Sequence, residues 1–234
     1  MLDVHPPHEA AHSWKDFFIH MVTICLGLLI AIGLEQSVEW LHHKHELKEL
    51  HEALRRDAEK QIEDCKDADL SSTVRAESLS HRIDEVSLAL RTHKPLVMAG
   101  PAKKAISFQD PEAPAWNAAK ASGLLALMPQ DDVAAYSEAD TCLREATNRD
   151  EKQFAARHKL RDLETNMTLV SDDPNFSKAT SEELQTYLTA LIDTRSAVDE
   201  FLYWSRQLRG AQVAILAGER DLKKIEASEH QFDN

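Results

Sequence analysis

The chain of 234 residues has room for one anchor and one medium domain, or for two small ones. Its 43% hydrophobic and 29% charged residues exclude a disordered chain, and its 6 glycines and 8 prolines are too few for a fold of many short strands. The net charge of −13 disfavours nucleic acid as a partner, because a phosphate backbone of like charge is repelled.

Residues 1–16 read as a polar N-terminal tail. Within it His8-Glu9-Ala10-Ala11-His12 matches H-E-x-x-H, which on a helix sets two imidazoles on one side for zinc with the glutamate as general base. The match follows Pro6-Pro7 and has no surrounding core to fix ligand geometry, so a zinc-dependent hydrolase is kept only as a remote alternative.

From Phe17 to Leu34 runs FFIHMVTICLGLLIAIGL, 18 residues without a formal charge, bounded by Asp16 and Glu35. Eleven of them are Phe, Ile, Leu or Val, worth together about −3 to −6 kcal/mol on the insertion scale. That sum outweighs the cost of His20 and Thr23. Trp14 and Trp40 flank the run about 39 Å apart along a helix, the spacing of two interfacial aromatic belts. Residues 17–41 therefore read as a transmembrane helix with its interfacial flank, marked by Trp14, Phe17, Phe18, Leu34 and Trp40. A cleaved secretory signal would want a basic start, which this tail lacks, although Ala31 and Gly33 mimic a small-x-small cleavage site. Lys15 alone precedes the span while Lys44, Lys48, Arg55 and Arg56 follow it. Such a count favours a cytoplasmic C-terminal domain, but long domains translocate against it, so the side stays undetermined. Gly27 and Ala31 form a small-xxx-small pair, one route to a homodimer through close helix approach.

His42, His43, His45 and His51 crowd the exit of the span. On a helix His42, His45, Glu46 and Glu49 share a face, so they are candidates for a divalent metal or for proton sensing, although polar residues marking the end of a span explain them more simply.

Residues 42–234 read as a helical bundle domain. Between Lys44 and Thr92 the apolar positions Leu47, Leu50, Leu54, Ala58, Ile62, Cys65, Ala76, Leu79, Ile83, Val86 and Leu90 recur at steps of mostly three and four, the mark of an amphipathic helix with a narrow seam. The polar stretch 66–73 leaves helix continuity there open. Residues 93–114, with four prolines and a glycine, read as a connecting loop, the tip of a hairpin. A short helix follows to Met128, and Pro129 opens a longer one carrying Val133, Tyr136, Ala139, Leu143, Ala146, Ala156, Leu160, Leu163, Met167 and Val170. Ser171–Ser177 reads as a turn. Thr180 and Glu183 form a capping box opening the last helix, with Leu184, Tyr187, Leu191, Val198, Leu202, Leu208, Ile215 and Leu222 on its apolar face. Trp116, Ser122, Gly123 and Trp204 invite a pocket, but large aromatics in a bundle belong first to the core. Cys65 and Cys142 are the one pair outside the span that could bridge. No nucleophile elbow, phosphate loop or dinucleotide fingerprint is found.

Residues 5–43, HPPHEAAHSWKDFFIHMVTICLGLLIAIGLEQSVEWLHH, resemble the N-terminal region of a group of uncharacterised bacterial single-pass membrane proteins, and PAWNAAKASGLLALMP at 114–129 looks like a second shared feature. The resemblance implies an anchor in the bacterial inner membrane and a helical C-terminal domain. It implies no activity.

The expectation is an all-α chain: one N-terminal transmembrane helix continuing into a long-helix antiparallel bundle or coiled-coil domain. The role expected is non-enzymatic, in protein contacts or scaffolding, with the bilayer, a second copy or another protein as partner and no cofactor. The alternative is a membrane-bound sensory or ligand-binding module, using a bundle pocket or the histidine cluster.

Overall fold

The computed structural model describes residues 14–98, 111–173 and 176–232. Among the described residues all regular structure is helical: α1 (Trp14–Thr92), α2 (Pro114–Ser122), a 3₁₀ turn (Leu124–Leu127), α3 (Gln130–Ser171), α4 (Ser181–Leu216), α5 (Leu222–Glu229) and a closing 3₁₀ turn (His230–Phe232). The chain divides into two compact units, Met1–Glu49 and Leu50–Asn234. The all-α expectation is met. Residues 66–73, open in the sequence, are helical.

In the first unit every side chain from Trp14 to His42 is exposed. The few polar groups there satisfy themselves on their own helix: the Thr23 hydroxyl donates to the Ile19 carbonyl at 2.8 Å, and Ser37 to the Gly33 carbonyl at 2.6 Å. Such back-bonding lowers the cost of placing a hydroxyl in hydrocarbon. Trp14, Phe17 and Phe18 cluster at one end, with ring centroids 6.0 Å apart for Trp14 and Phe17.

The second unit is built on α4. Its buried positions Leu184, Tyr187, Leu191, Thr194, Val198, Phe201, Ser205, Leu208, Gln212 and Ile215 alternate steps of three and four without a slip. That keeps one seam facing the neighbouring helices along its whole length. Pairings across the seams give the directions. Arg149 pairs with Glu200, the Thr194 hydroxyl reaches the Ala156 carbonyl, and Tyr187 reaches Glu164, so α3 and α4 are antiparallel. Gln61 meets Gln212, Asp69 meets Arg206 and Ala76 meets Arg195, so α1 and α4 are antiparallel too. It follows that α1 and α3 run the same way, with His51 beside Asp132 and Arg75 beside Gln153.

This arrangement corrects the hairpin-tip reading of residues 93–114. A short tip joins antiparallel neighbours, whereas Thr92 and Pro114 lie at opposite ends of the bundle. The start of α2 is fixed far from the end of α1: Asp57 accepts from the Ala115 amide at 2.7 Å, and Gln61 donates to the Glu112 carbonyl at 2.7 Å. Residues 99–110 of that connection lie outside the described residues.

A second correction concerns the C-terminus. The last helix was expected to carry its face on to Leu222, but α4 ends at Leu216, Gly218 takes φ 89°, and α5 folds back after an Asp221 cap that accepts from the Lys223 amide at 3.0 Å. A left-handed glycine just beyond a helix is the usual way to reverse a chain there.

Candidate functional site

Among the described residues of the second unit, three places that bring chemistry-bearing side chains together stand out. The first lies between α3 and α5. Glu138 and Cys142, four residues apart, share one face of α3, and Glu229 closes against them from the end of α5. The carboxylate oxygens and the sulfur lie within 4.8 Å of one another. Cys142 is 1% exposed and Glu229 8%, with the Glu229 Oε1 atom buried and unpartnered by any hydrogen bond. Glu229 is set in place by close backbone packing, since Gly210 of α4 leaves no room for a Cβ beneath Ser228 and Glu229.

The electrostatics follow from that burial. The Glu229 carboxyl is pushed up to about 7, first by desolvation and then by the nearby Glu138 and Glu226, with the Cys142 thiol and His230 acting against them. Cys142 is pushed far above its usual range by burial and by the two carboxylates. A native value above the unfolded 4.5 means that the folded chain holds this proton more tightly. Its contribution is therefore complete below about pH 4.5 and lost as the pH rises through about 7. In metal-free protein, Glu229→Gln is expected to leave stability unchanged at pH 4 and to raise it at pH 8 by roughly 1–3 kcal/mol. Thermal unfolding at the two pH values checks this, and a destabilised variant at pH 8 would contradict it.

The second place is a cavity of about 20 Å³ among Leu54, Asp57, Gln61, Trp116, Tyr136 and Gln212. It has the size of a single water and cannot take an organic ligand. Its polar walls are a register device: Gln212 donates to Gln61 at 2.6 Å, and Gln61 passes the chain on to the Glu112 carbonyl. Burial raises the Asp57 carboxyl, with the Ala115 amide working against that shift. Trp116 packs on the Tyr136 ring at 5.9 Å. Ser122, Gly123 and Trp204 are not among the lining residues; Gly123 instead caps α2 with φ 79°.

The third is an open groove of about 370 Å³ between α1 and α4, with Glu77, Ser80 and His81 facing Arg195 and Arg206. Its arginines are engaged: Arg195 donates to Ala76 and Ser80 and pairs with Asp199, and Arg206 lies 2.7 Å from Asp69.

Of the residues expected from the sequence, Trp14, Phe17, Phe18, Leu34 and Trp40 are all exposed on α1, and Lys44 lies over the Trp40 ring at 5.2 Å. Gly27 has no atom within 4 Å of where a Cβ would sit, so its face with Ala31 is open. Cys25, two residues away, points about 200° round the helix from that face. His42 lies 3.2 Å from Glu46 and His45 lies 3.2 Å from Glu49, which makes two separate side-chain contacts one turn apart. His8, Glu9 and His12 lie outside the described residues. Cys65 and Cys142 are both free thiols with different neighbours, Cys65 against Ser205 and Cys142 against Glu229. Glu138 and Glu229 were missed. Glu138 and Cys142 were readable as a helical i, i+4 pair; nothing in the sequence announces the third member beyond a turn.

The chain matches no family model, no curated protein and no solved structure. What its fold defines is a class: among the described residues, an all-helical protein with one helix long and apolar enough to cross a membrane.

Proposed function

We propose that this chain is a non-enzymatic helical domain tethered by a single span to the bacterial inner membrane, working through contacts with other proteins or a second copy. One observation carries the tether. Every residue from Phe17 to Leu34 is exposed, whereas the unit from Leu50 onward buries its own core. Leaving side chains such as Ile24, Leu29 and Leu34 in water would cost about 25 cal/mol for each Å² of apolar surface, and lipid removes that cost. The non-enzymatic reading is supported by the buried thiols. Desolvation pushes Cys65 up to about 12 and Cys142 higher still, so neither is a thiolate nucleophile at neutral pH.

The test is fractionation of a detergent-free lysate by ultracentrifugation. The native chain is expected in the membrane pellet, resistant to high salt. Ile24→Arg together with Leu28→Arg adds about 5–7 kcal/mol at the middle of the span, enough to cancel the insertion energy. The double variant is expected in the supernatant, and native chain found there would end the tethered reading. A reporter fused to the C-terminus then assigns the side on which the bundle lies.

A further inference from the structure

The cluster between α3 and α5 has a geometry that protein packing alone does not call for. Two carboxylates and a thiol converge, two of the three residues are almost wholly buried, and one carboxylate oxygen has no hydrogen-bond partner. Ionised, such a buried set is costly, and a cation in its centre would offset that cost and partner the open carboxylate oxygen. We propose that Glu138, Cys142 and Glu229 form a binding site for a thiophilic divalent cation, with zinc as its natural class, that pins α5 to α3.

The donor set selects the ion. Calcium and magnesium take oxygen ligands in sixes or more, whereas one sulfur with two oxygens suits zinc at four-coordination, leaving one position for water. Ligands around tetrahedral zinc lie about 3.5 Å apart, given bonds of about 2.0 Å to oxygen and 2.3 Å to sulfur. The three ligand atoms lie within 4.8 Å of one another, so each gap has to close by about 1.3 Å at most to reach that spacing. Binding displaces the Cys142 and Glu229 protons to solvent, so affinity rises with pH. The site rests on residues of the second unit only and is independent of the tether.

The test uses the full-length chain in detergent, stripped with a chelator and titrated with Co²⁺ alone. The expected result is one Co²⁺ per chain showing the near-ultraviolet absorption of a thiolate-to-cobalt bond, displaced by equimolar Zn²⁺. Cys142→Ser should abolish the band and Cys65→Ser should retain it, which separates this site from the other buried thiol. Glu138 is half-buried, and Glu138→Gln should weaken binding at least about tenfold, since even residues that only support ligands cost that much. Histidine-bound cobalt elsewhere gives no thiolate band. A wild-type chain without the band overturns the proposal, and so does a band that survives in helical, folded Cys142→Ser.

Discussion

Tyr187→Ala is expected to cost about 3–5 kcal/mol, the range for emptying a large aromatic site in a close-packed core. Tyr187 is 1% exposed, its ring meets Phe176 edge to face at 5.4 Å, and its hydroxyl donates to Glu164 Oε1 at 2.7 Å. It stands where α4, α3 and the turn between them meet, so no single neighbour can collapse into the hole. Against a total stability of about 5–15 kcal/mol, this loss moves the unfolding midpoint by roughly 10 °C for a domain of this size. Tyr187→Phe separates the two contributions. It keeps the ring and loses one hydrogen bond to a carboxylate that stays half in contact with water, so about 0.5–1.5 kcal/mol is expected. Thermal unfolding followed by circular dichroism reads both. Equal losses in the two variants would show that the hydroxyl, and not the packing, holds this junction.

The same residue shows how much of the fold was legible. Tyr187 belongs to a run of apolar positions at three and four, and such runs are what a helix needs in order to bury one stripe. Leu54, Ala58, Leu143, Leu160, Leu191, Val198 and Ile215 were all readable in this way, and all are buried. Equally plain was the uncharged stretch from Phe17, because length and composition decide it without any partner.

What escaped the sequence is polar or topological. Gln61 is 2% exposed, while its apolar neighbour Ile62 is only half-buried. Hydrophobicity selects the wrong one of the two, because Gln61 owes its place to Gln212 on a helix far along the chain. Gln153, held by Arg75 and Asp150, escapes for the same reason. Paired polar rungs of this kind fix register, and their partners are invisible to a local reading. The common direction of α1 and α3 was hidden because a proline-rich segment reads alike whether it turns a hairpin or crosses a bundle. The α3–α5 cluster combines both difficulties: a polar set completed by a helix whose existence depends on the turn at Gly218.

Gly210→Ala addresses that helix directly. A Cβ at Gly210 would lie 2.4 Å from the Ser228 carbonyl oxygen and 2.7 Å from the Glu229 Cα, both backbone atoms that cannot rotate aside. Alanine gains about 1 kcal/mol over glycine from helix propensity inside α4. Overpacking of about 1–3 kcal/mol opposes it, and the chain escapes that strain only by lifting α5 away. Lifting α5 exposes Ile225, now 0% exposed, at about 1.5–3 kcal/mol, and breaks the stacking of Arg209 on Phe232 at 4.0 Å. Set against the propensity gain, either route leaves a net loss of up to about 2 kcal/mol. It is confined to α5. Amide exchange is expected to accelerate from Leu222 to Phe232 while the paired stretches of α3 and α4 near Tyr187 keep their protection. Because Glu229 leaves Cys142 when α5 lifts, the same substitution should weaken Co²⁺ binding by up to about 30-fold without touching a ligand. Unchanged exchange in α5 would mean that Gly210 is not the seat on which the helix rests.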